Sequence, residues 1–421
     1  MPATFGLIDA NSFYCSCERA FDPRLRGAPV VVLSNNDGCA VARTPEAKAR
    51  GIGMGEPWHL VRFRAGCADV EFLSSNYALY GDMSRRMYEV LAARVPAVEP
   101  YSIDEMFLDL DIPVPDLMAF CRRLRDAVRR EAKLPTCIGI GPTKTIAKLA
   151  NAVAKASPDM DGVRDLRSPE ARAALYRELP VSEVWGIGAR HAARLARLGV
   201  ATIAEFVALD PRLARDALTA TGARLRAELL GVSCLPLALA APTRRGLAVT
   251  RCFGRLVTSW AELREAMAAH AARAGEKLRA HGLLAGAMTV FAHTHPHNGD
   301  PWHGLQHTGR IEPTSDTRAL IAEAIRMLRP LWRPGFRWFK CGVMLADLVP
   351  ASLQSRMLFA TRDPARSARV MAALDAVNAR HGRDTLRLAA TGIERSWRTR
   401  HHRLSPRYTT HAGEMLVARA W

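Results

Sequence analysis

The chain has 421 residues, 49% of them apolar, which is too many for one hydrophobic core and enough for several. Its 59 Lys and Arg outnumber 41 Asp and Glu to leave a net charge of +18, which suits a polyanionic partner such as nucleic acid; the plainer alternative is an Arg-rich composition with solvated charges. No window approaches the roughly 20 apolar residues of a membrane span, the first residues lack a signal-peptide pattern, and nine scattered cysteines without a CxxC pair point to reduced thiols in a cytoplasmic protein.

In chain order, residues 5–9, 29–33, 40–42, 102–110 and 136–140 read as short strands, and 77–93 and 115–131 as amphipathic helices. That interleaving predicts an α/β layer structure over residues 1–165. From 169 to about 231 the chain is helical and rich in Ala, Arg and Leu, punctuated by Gly186, Gly188 and Gly199. A linker at 235–246 carries two prolines and a basic pair. Strand patterns return at 248–253, 287–293 and 338–345, with helices over 260–281 and 315–332. The rest is helical around 365–380 and otherwise polar and basic, and no internal repeat is visible.

The stretch YSIDEMFLDL (101–110) reads as a buried strand carrying two adjacent carboxylates, Asp104 and Glu105. Asp9 ends the first strand. Strand neighbours point to opposite faces, so a bend or strand edge is needed to bring Asp104 and Glu105 to one site. Three clustered carboxylates repel one another unless cations sit among them, and two Mg²⁺ ions about 3.5–4 Å apart would balance them, activate an attacking hydroxyl and hold a leaving phosphate. The alternative is that Asp104 caps a turn while Glu105 is an exposed strand residue. Thr143 suits the N-cap of a helix on which Lys144, Lys148, Asn151 and Lys155 form one polar face, opposite Ile146, Leu149, Ala150 and Val153. That stripe is either a solvated face or, beside the carboxylates, a clamp for phosphates.

Together, LIDANSFYCSCE (7–18), PVVVLSNNDGCAVARTPEAKARGIGMGEP (29–57) and YSIDEMFLDL resemble the palm and fingers of Y-family translesion DNA polymerases, most nearly the UmuC-type catalytic subunit of DNA polymerase V. The resemblance continues in family order through GIGPTKTIAKLANAVAK (139–155), LPVSEVWGIGARHAARLARLGV (179–200) and LSPRYTTH (404–411). It implies a multidomain α/β right hand. A ferredoxin-like palm and small fingers would fill 1–168, with the fingers at about 20–78, and a helical thumb with a helix–hairpin–helix 169–234. After the linker would come an α+β little-finger domain at 247–350 and a C-terminal UmuC-type extension at 351–421. The implied activity is error-prone, DNA-directed DNA polymerisation across lesions by two-metal nucleotidyl transfer, using Mg²⁺ and dNTPs, in SOS-type damage tolerance and mutagenesis.

Carried over by residue, Asp9 and Asp104 match the metal-binding aspartates, with the carbonyl of Ala10, and Glu105 matches the catalytic glutamate. Tyr14, with Phe13 beside it, matches the steric gate, a flat ring that leaves no room for a 2′-hydroxyl. Lys155 matches the triphosphate lysine. In the fingers this chain has Pro45 and Lys48 where the family usually carries Tyr and Arg. Lysine lacks the bidentate fork of arginine, so Lys48 is expected to contact phosphate with help from Arg43. Val32, Ala40 and Ala42 would floor a roomy pocket over the nascent base pair.

Gly186 and Gly188 would offer backbone N–H groups to a DNA phosphate, although glycines also cap many turns. Arg251, Phe253 and Arg255 lie on the first little-finger strand, with the two arginines expected to bind DNA. His293, His295 and His297, with His303 and His307 nearby, read as a DNA-facing loop rather than a zinc site, since no Cys or carboxylate pattern completes one. Gln354, Leu358 and Phe359 resemble a sliding-clamp peptide. The implied partners are primer–template DNA, a processed UmuD dimer, a recombinase filament and the sliding clamp, with no membrane. One competing reading is a catalytically silent, polymerase-like scaffold bridging DNA, clamp and recombinase, which would be expected to lack one of the three carboxylates. Another is a cyclase on a similar palm, which the helix–hairpin–helix and the basic little finger argue against.

Overall fold

The computed structural model describes residues 3–157, 161–240, 243–353, 363–414 and 417. The chain divides into two units, one of Met1–Ser34, Gly38–Ala241 and Arg403–Trp421, the other of Asn35–Asp37 and Pro242–His402.

In the first unit, β1 (Phe5–Ala10) leads through a left-handed Ser12 into α1 (Phe13–Phe21). There follow β2 (Val30–Leu33), β3 (Ala40–Arg43), the short helices α2 (Pro45–Ala49) and α3 (Trp58–Val61), and β4 (Glu71–Ser74), the strands forming a small sheet in the order β3-β2-β4. Next come α4 (Tyr77–Ala92), β5 (Val98–Pro100), β6 (Glu105–Asp109), α5 (Leu117–Glu131), β7 (Thr136–Gly141), α6 (Lys144–Ala156) and β8 (Val163–Asp165). The larger sheet runs β5-β6-β1-β7-β8, with β1 antiparallel to both neighbours. Both of its faces are covered, which is why its central strands read as unbroken apolar runs. Ile8, Met106, Leu108, Ile138 and Ile140 pack with Leu79, Met83 and Met87 of α4 and Leu124 of α5. Phe5, Leu7 and Phe107 meet Ala147 of α6 on the other face. Each such side chain, fully buried, contributes roughly 1.5–3 kcal/mol.

α6 comes very close to β7: a Cβ on Gly139 would stand 2.1 Å from the Ala147 carbonyl oxygen and from the Asn151 nitrogen, so only glycine fits there. The helices α7 (Pro169–Glu178), α8 (Ala189–Ala196), α9 (Ile203–Ala208) and α10 (Pro211–Leu229) gather around Leu195, Ile203, Phe206, Leu218 and Leu225.

The second unit contains β9 (Leu247–Val257), α11 (Trp260–Ala280), β10 (Leu283–Thr294), β11 (Gly304–Thr314), α12 (Thr317–Leu328), β12 (Trp338–Pro350) and α13 (Pro364–His381). Its antiparallel sheet runs β11-β10-β12-β9. α11 and α12 cover one face, where Val249, Val290, Val343 and Trp338 join Met267 and Leu320 in the core. The alternate residues, among them Thr250, Thr289, Thr308, Lys340 and Met344, form the open face, as antiparallel sheets allow.

Three differences from expectation have physical causes. The strand expected over 102–110 begins only at Glu105, because Asp104 lies in the preceding turn. β4, β5 and β8 are too short to show a period, and β11 is too polar, since one of its faces is open. The segment 351–421, expected as one extension, is divided: α13 and the chain up to His402 belong to the second unit, and the chain from Arg403 to the first. Among the described residues no helix is long and apolar enough to cross a membrane.

His270 of α11 is buried, its Nε2 has no hydrogen-bond partner among the described residues, and its ring stands edge-on to Trp397. Burial, with Arg251 and Arg395 nearby, holds its pKa down to about 3 against an ordinary 6.5. The unfolded chain therefore takes up a proton below about pH 6.5 that the folded chain refuses, so stability present above that pH is lost as the pH falls, by up to about 1.4 kcal/mol per unit. His270→Leu should flatten the acid limb of a urea-midpoint profile between about pH 6 and 4 while leaving the slope at pH 8 unchanged. An acid limb as steep as that of the wild type would refute the assignment.

Candidate active site

The antiparallel register sets Asp9 of β1 opposite Glu105 of β6. Residues paired in this way have Cα atoms about 4.5–5.5 Å apart and side chains on a common face. By alternation that face is the one shared with Leu7 and Phe107, the face that α6 covers. Asp104 joins them from the turn before β6, where the Ala10 N–H donates to its carbonyl at 2.9 Å. Ser102 shapes this turn: its hydroxyl donates to Asp104 Oδ1 at 2.6 Å and accepts from the Glu105 N–H at 3.0 Å. The turn supplies the bend that the alternation of a strand requires. Ser102 was not singled out in the sequence, although a serine two residues before an aspartate is a common turn signal.

Thr143 caps α6, accepting from the Ile146 N–H at 3.2 Å. The lysine stripe of this helix is not a solvated face. Lys155 is ion-paired with Asp9, Lys144 with Glu99, and Lys148 with both oxygens of Glu105, at 2.6 and 2.8 Å. The Lys148 ammonium also lies over the rings of Tyr101 and Trp185, at 4.9 and 5.7 Å. Asn151, the fourth member of the stripe, is buried and donates to the carbonyls of Leu7 at 3.1 Å and Cys137 at 2.8 Å. It is a strut tying α6 to β1 and β7.

Asp9 is only 7% exposed. Burial pushes its carboxyl up to about 6 in spite of Lys155 beside it, and Glu105 and Asp104 add to the rise. The cluster is thus short of positive charge even with its lysines in place. Its donors, the three carboxylates and the Ala10 carbonyl, are all oxygens, the ligand type that hard divalent cations take. Among the described residues no group of three or more His, Cys, Asp or Glu side chains is drawn together as a ready-made metal site. The carboxylates of Asp9 and Glu105 meet lysines instead, and His293 and His295 pack against Phe291, Phe339 and Trp302.

Of the two gate candidates, Phe13 is buried in the core. Tyr14, half-exposed, stacks on Tyr80 at 4.3 Å and 13° and meets Tyr77 edge-on; burial raises its pKa, and Tyr77 and Asp104 add to this. Tyr77 and Tyr80 escaped notice in the sequence, where an aromatic pair three residues apart reads as ordinary helix core. Lys48 is exposed on α2, which Thr44 caps and Pro45 opens. Arg43 donates to the Ile52 carbonyl at 2.7 Å, and its buried Nε has no partner among the described residues.

Val32 and Ala42 lie in the core cluster that includes Phe13, whereas Ala40, beyond a register shift in β2–β3, packs with Leu33 and Ile52. The three therefore do not make one floor. Gly186, at a φ of 93°, and Gly188, the N-cap of α8, are both exposed, with Ile187 buried between them. Arg251 and Arg255 share the alternation of the buried Val249, Phe253 and Val257, so they leave β9 on the helix-covered side. Arg255 is ion-paired there with Glu262 and bonded to Ser396 at 2.8 Å. Neither lies on the open face of the sheet. Gln354, Leu358 and Phe359 fall outside the described residues.

The strut makes a direct prediction. Asn151→Ala leaves the carbonyls of Leu7 and Cys137 without their buried donor and should destabilise the first unit by about 2–3 kcal/mol in urea unfolding. A change within about 0.5 kcal/mol would show that the strut carries no weight.

The chain matches the impB/mucB/samB family over residues 8–152 and that family's C-terminal domain over 244–358, followed by a domain of unknown function (DUF4113) over 368–418. It is 40% identical to Protein UmuC of Salmonella typhimurium over 418 residues, covering 98% of this chain and 99% of that protein. It is 39% identical to Protein ImpB of the same species, covering 99% of each, and 29% identical to DNA polymerase IV of Moorella thermoacetica, covering 91% and 95%. Among solved structures, a Y-family DNA polymerase chimera, Dbh-Dpo4(243-245)-Dbh, shares the fold with a TM-score of 0.68 and 18% identity, over 82% of this chain and 99% of that one.

Proposed function

The chain belongs to the impB/mucB/samB family, the UmuC-type branch of the Y-family DNA polymerases, and is a DNA-directed DNA polymerase of translesion synthesis; on that premise we propose how its residues divide the work. The observation that carries the assignment is the convergence of Asp9, Asp104 and Glu105 through the β1–β6 register and the Ser102 turn. A catalytically silent scaffold has no use for such a costly cluster.

Asp9, Asp104, Glu105 and the carbonyl of Ala10 would hold two Mg²⁺ ions. Bound there, the ions supply activation of the primer 3′-hydroxyl and neutralisation of the departing pyrophosphate. The protein supplies the rest. Glu105 and Asp9, fixed on adjacent strands, orient the reacting groups, and burial beneath α6 limits access of water. The Lys155 side chain, 37% exposed, is free to swing from Asp9 to the β- and γ-phosphates of an incoming dNTP. Lys48, exposed on α2, supplies a further phosphate contact, with Arg43 beside it.

The ring of Tyr14, stiffened by Tyr80, lies under the sugar and excludes a 2′-hydroxyl. Exposed N–H groups at Gly186 and Gly188 meet a DNA phosphate, and the open face of the second sheet, with Thr250, Thr289, Thr308 and Lys340, meets the template backbone, a place the sequence had offered to Arg251 and Arg255. The net charge of +18 makes that grip dependent on salt. A processed UmuD dimer, a recombinase filament and the sliding clamp complete the proposed assembly, and the free cysteines suit a reducing cytoplasm.

Asp9→Ala and Asp104→Ala should each lower primer extension on the order of 10³-fold or more while leaving duplex binding in a mobility-shift assay nearly unchanged. Chelation by EDTA should do the same and be reversed by Mg²⁺. Retained extension in either variant would overturn the site. Tyr14→Ala should raise ribonucleotide incorporation about tenfold or more relative to dNTPs, measured as the ratio of kcat/KM values; a ratio equal to that of the wild type removes Tyr14 from the gate.

A further inference from the structure

Behind the sugar gate lies a buried carboxylate that takes no part in nucleotidyl transfer. α1 carries Tyr14, Glu18 and Phe21 at i, i+4 and i+7, so the three share one helix face. Glu18 is 1% exposed, and its Oε1 accepts from the hydroxyl of Tyr80 at 2.7 Å. Tyr80, itself fully buried, is the ring on which Tyr14 stacks. Ser405, from the far end of the chain, lines the same small cavity as Glu18 and Tyr408, and its hydroxyl is the next polar neighbour of the carboxylate after that of Tyr80.

Ser405 is held there by more than one contact. The Ser74 N–H donates to the Arg403 carbonyl at 2.9 Å, the Arg403 N–H donates to Ser74 Oγ at 3.0 Å, and Leu404 makes a parallel bridge with Ser74. Asn76, the N-cap of α4, accepts from the Leu79 N–H and turns its Nδ2 to Ser405 Oγ at 2.9 Å and to the Pro406 carbonyl at 3.2 Å. Tyr408 then stacks on Phe21 at 5.0 Å and 7°. The tail thus joins the end of β4, the start of α4 and the distal end of α1, all within the first unit.

We propose that residues 403–408 are a positioning element of the sugar gate: through Ser405, Glu18 and Tyr80 the tail holds the ring of Tyr14 in place, and discrimination between deoxyribo- and ribonucleotides depends on it. The proposal rests on the reading of Tyr14 as the gate. Burial raises the pKa of Glu18, and the hydrogen bonds from Tyr80 and Ser405 oppose the rise. A buried carboxylate that loses one of its donors drives rearrangement of its neighbours. The neighbour bonded to it is Tyr80, whose ring orientation then rests on core packing and its contacts with Phe13, Tyr14 and Tyr77 alone. Loosening Tyr80 lets the half-exposed Tyr14 tilt away from the sugar, which relaxes selection without touching the carboxylates of the reaction.

The experiment measures kcat/KM for matched dNTP and rNTP insertion with the full-length chain. Tyr14→Ala sets the scale. Ser405→Ala and Tyr80→Phe each remove one hydroxyl and keep the remaining bulk. Each should lower the dNTP/rNTP ratio about fivefold, mainly through a lower KM for the ribonucleotide, with kcat for dNTP close to that of the wild type. Glu18→Gln, which keeps an acceptor for Tyr80, should stay near the wild-type ratio, and Glu18→Leu should fall with the others. Because they act along one path, Ser405→Ala and Tyr80→Phe combined should lower the ratio no further than either alone. A purely structural tail would depress insertion of both nucleotides together and leave their ratio intact, which overturns the proposal. An unaltered ratio in Ser405→Ala while Tyr14→Ala shifts it overturns the tail's role alone. An unaltered ratio in Tyr14→Ala overturns the gate and the tail's role with it. Should Tyr80→Phe fail to fold, Ser405→Ala, at the margin of the core, decides between these outcomes.

Discussion

Asp9, Asp104 and Glu105 repel one another in a place where Asp9 is almost out of contact with water, and the surrounding architecture is arranged around that repulsion. α6 answers it directly. Three of its lysines sit on the helix face turned toward the sheet, and each takes a different acid: Lys144 takes Glu99, Lys148 takes Glu105 and Lys155 takes Asp9. The helix comes close enough to do so only because Gly139 has no side chain, and it is held there because Asn151 bonds two strand carbonyls. Packing and electrostatics are therefore one design here. A helix that stood off by the thickness of a methyl group would leave the carboxylates uncompensated at several kcal/mol.

The opposite side of the site is built differently, from rings rather than charges. Tyr14, Tyr77 and Tyr80 contact one another, and Tyr80 is pinned by Glu18 from beneath. Aromatic stacking alone is worth only about 0.5–1.5 kcal/mol per pair, which is why the hydrogen bond of the buried Tyr80 is proposed to have a part in orienting the half-buried Tyr14. The acceptor of that bond, Glu18, lies beside Ser405 of the C-terminal segment. The proposed active site thus has an electrostatic wall assembled from residues 9 to 155 and an aromatic wall beside which the C-terminal segment packs.

The second unit shows how net charge misleads when it is assigned residue by residue. Arg251 and Arg255 are exposed and basic on the first strand of the sheet, yet they leave it toward α11, and Arg255 is engaged by Glu262. The open face holds Thr250, Thr289 and Thr308 beside Phe291 and Met344, with Arg310 and Lys340 as charges on it. Such a surface brings strand backbone and short polar groups close to phosphates without base-specific contacts, which fits an enzyme that must accept distorted templates.

Much of this was legible in the residues alone. The apolar runs at 5–9 and 136–140 mark strands covered on both faces, the capped periodicity at 143–155 marks α6, and the motifs around Asp9, Asp104 and Glu105 point to the family and to metal chemistry. These are local signals, set by side-chain period, capping and turn chemistry over a dozen residues or fewer. What remained open was every choice between two faces or two partners: Phe13 or Tyr14 as the exposed ring, a solvated or an ion-paired lysine stripe, Arg251 toward the helices or toward the open face, Ser405 in a tail or in the core. Such choices are decided by which surfaces meet when distant segments pack, because a polar side chain that is at ease in water at one register becomes a buried group in need of a partner at the next.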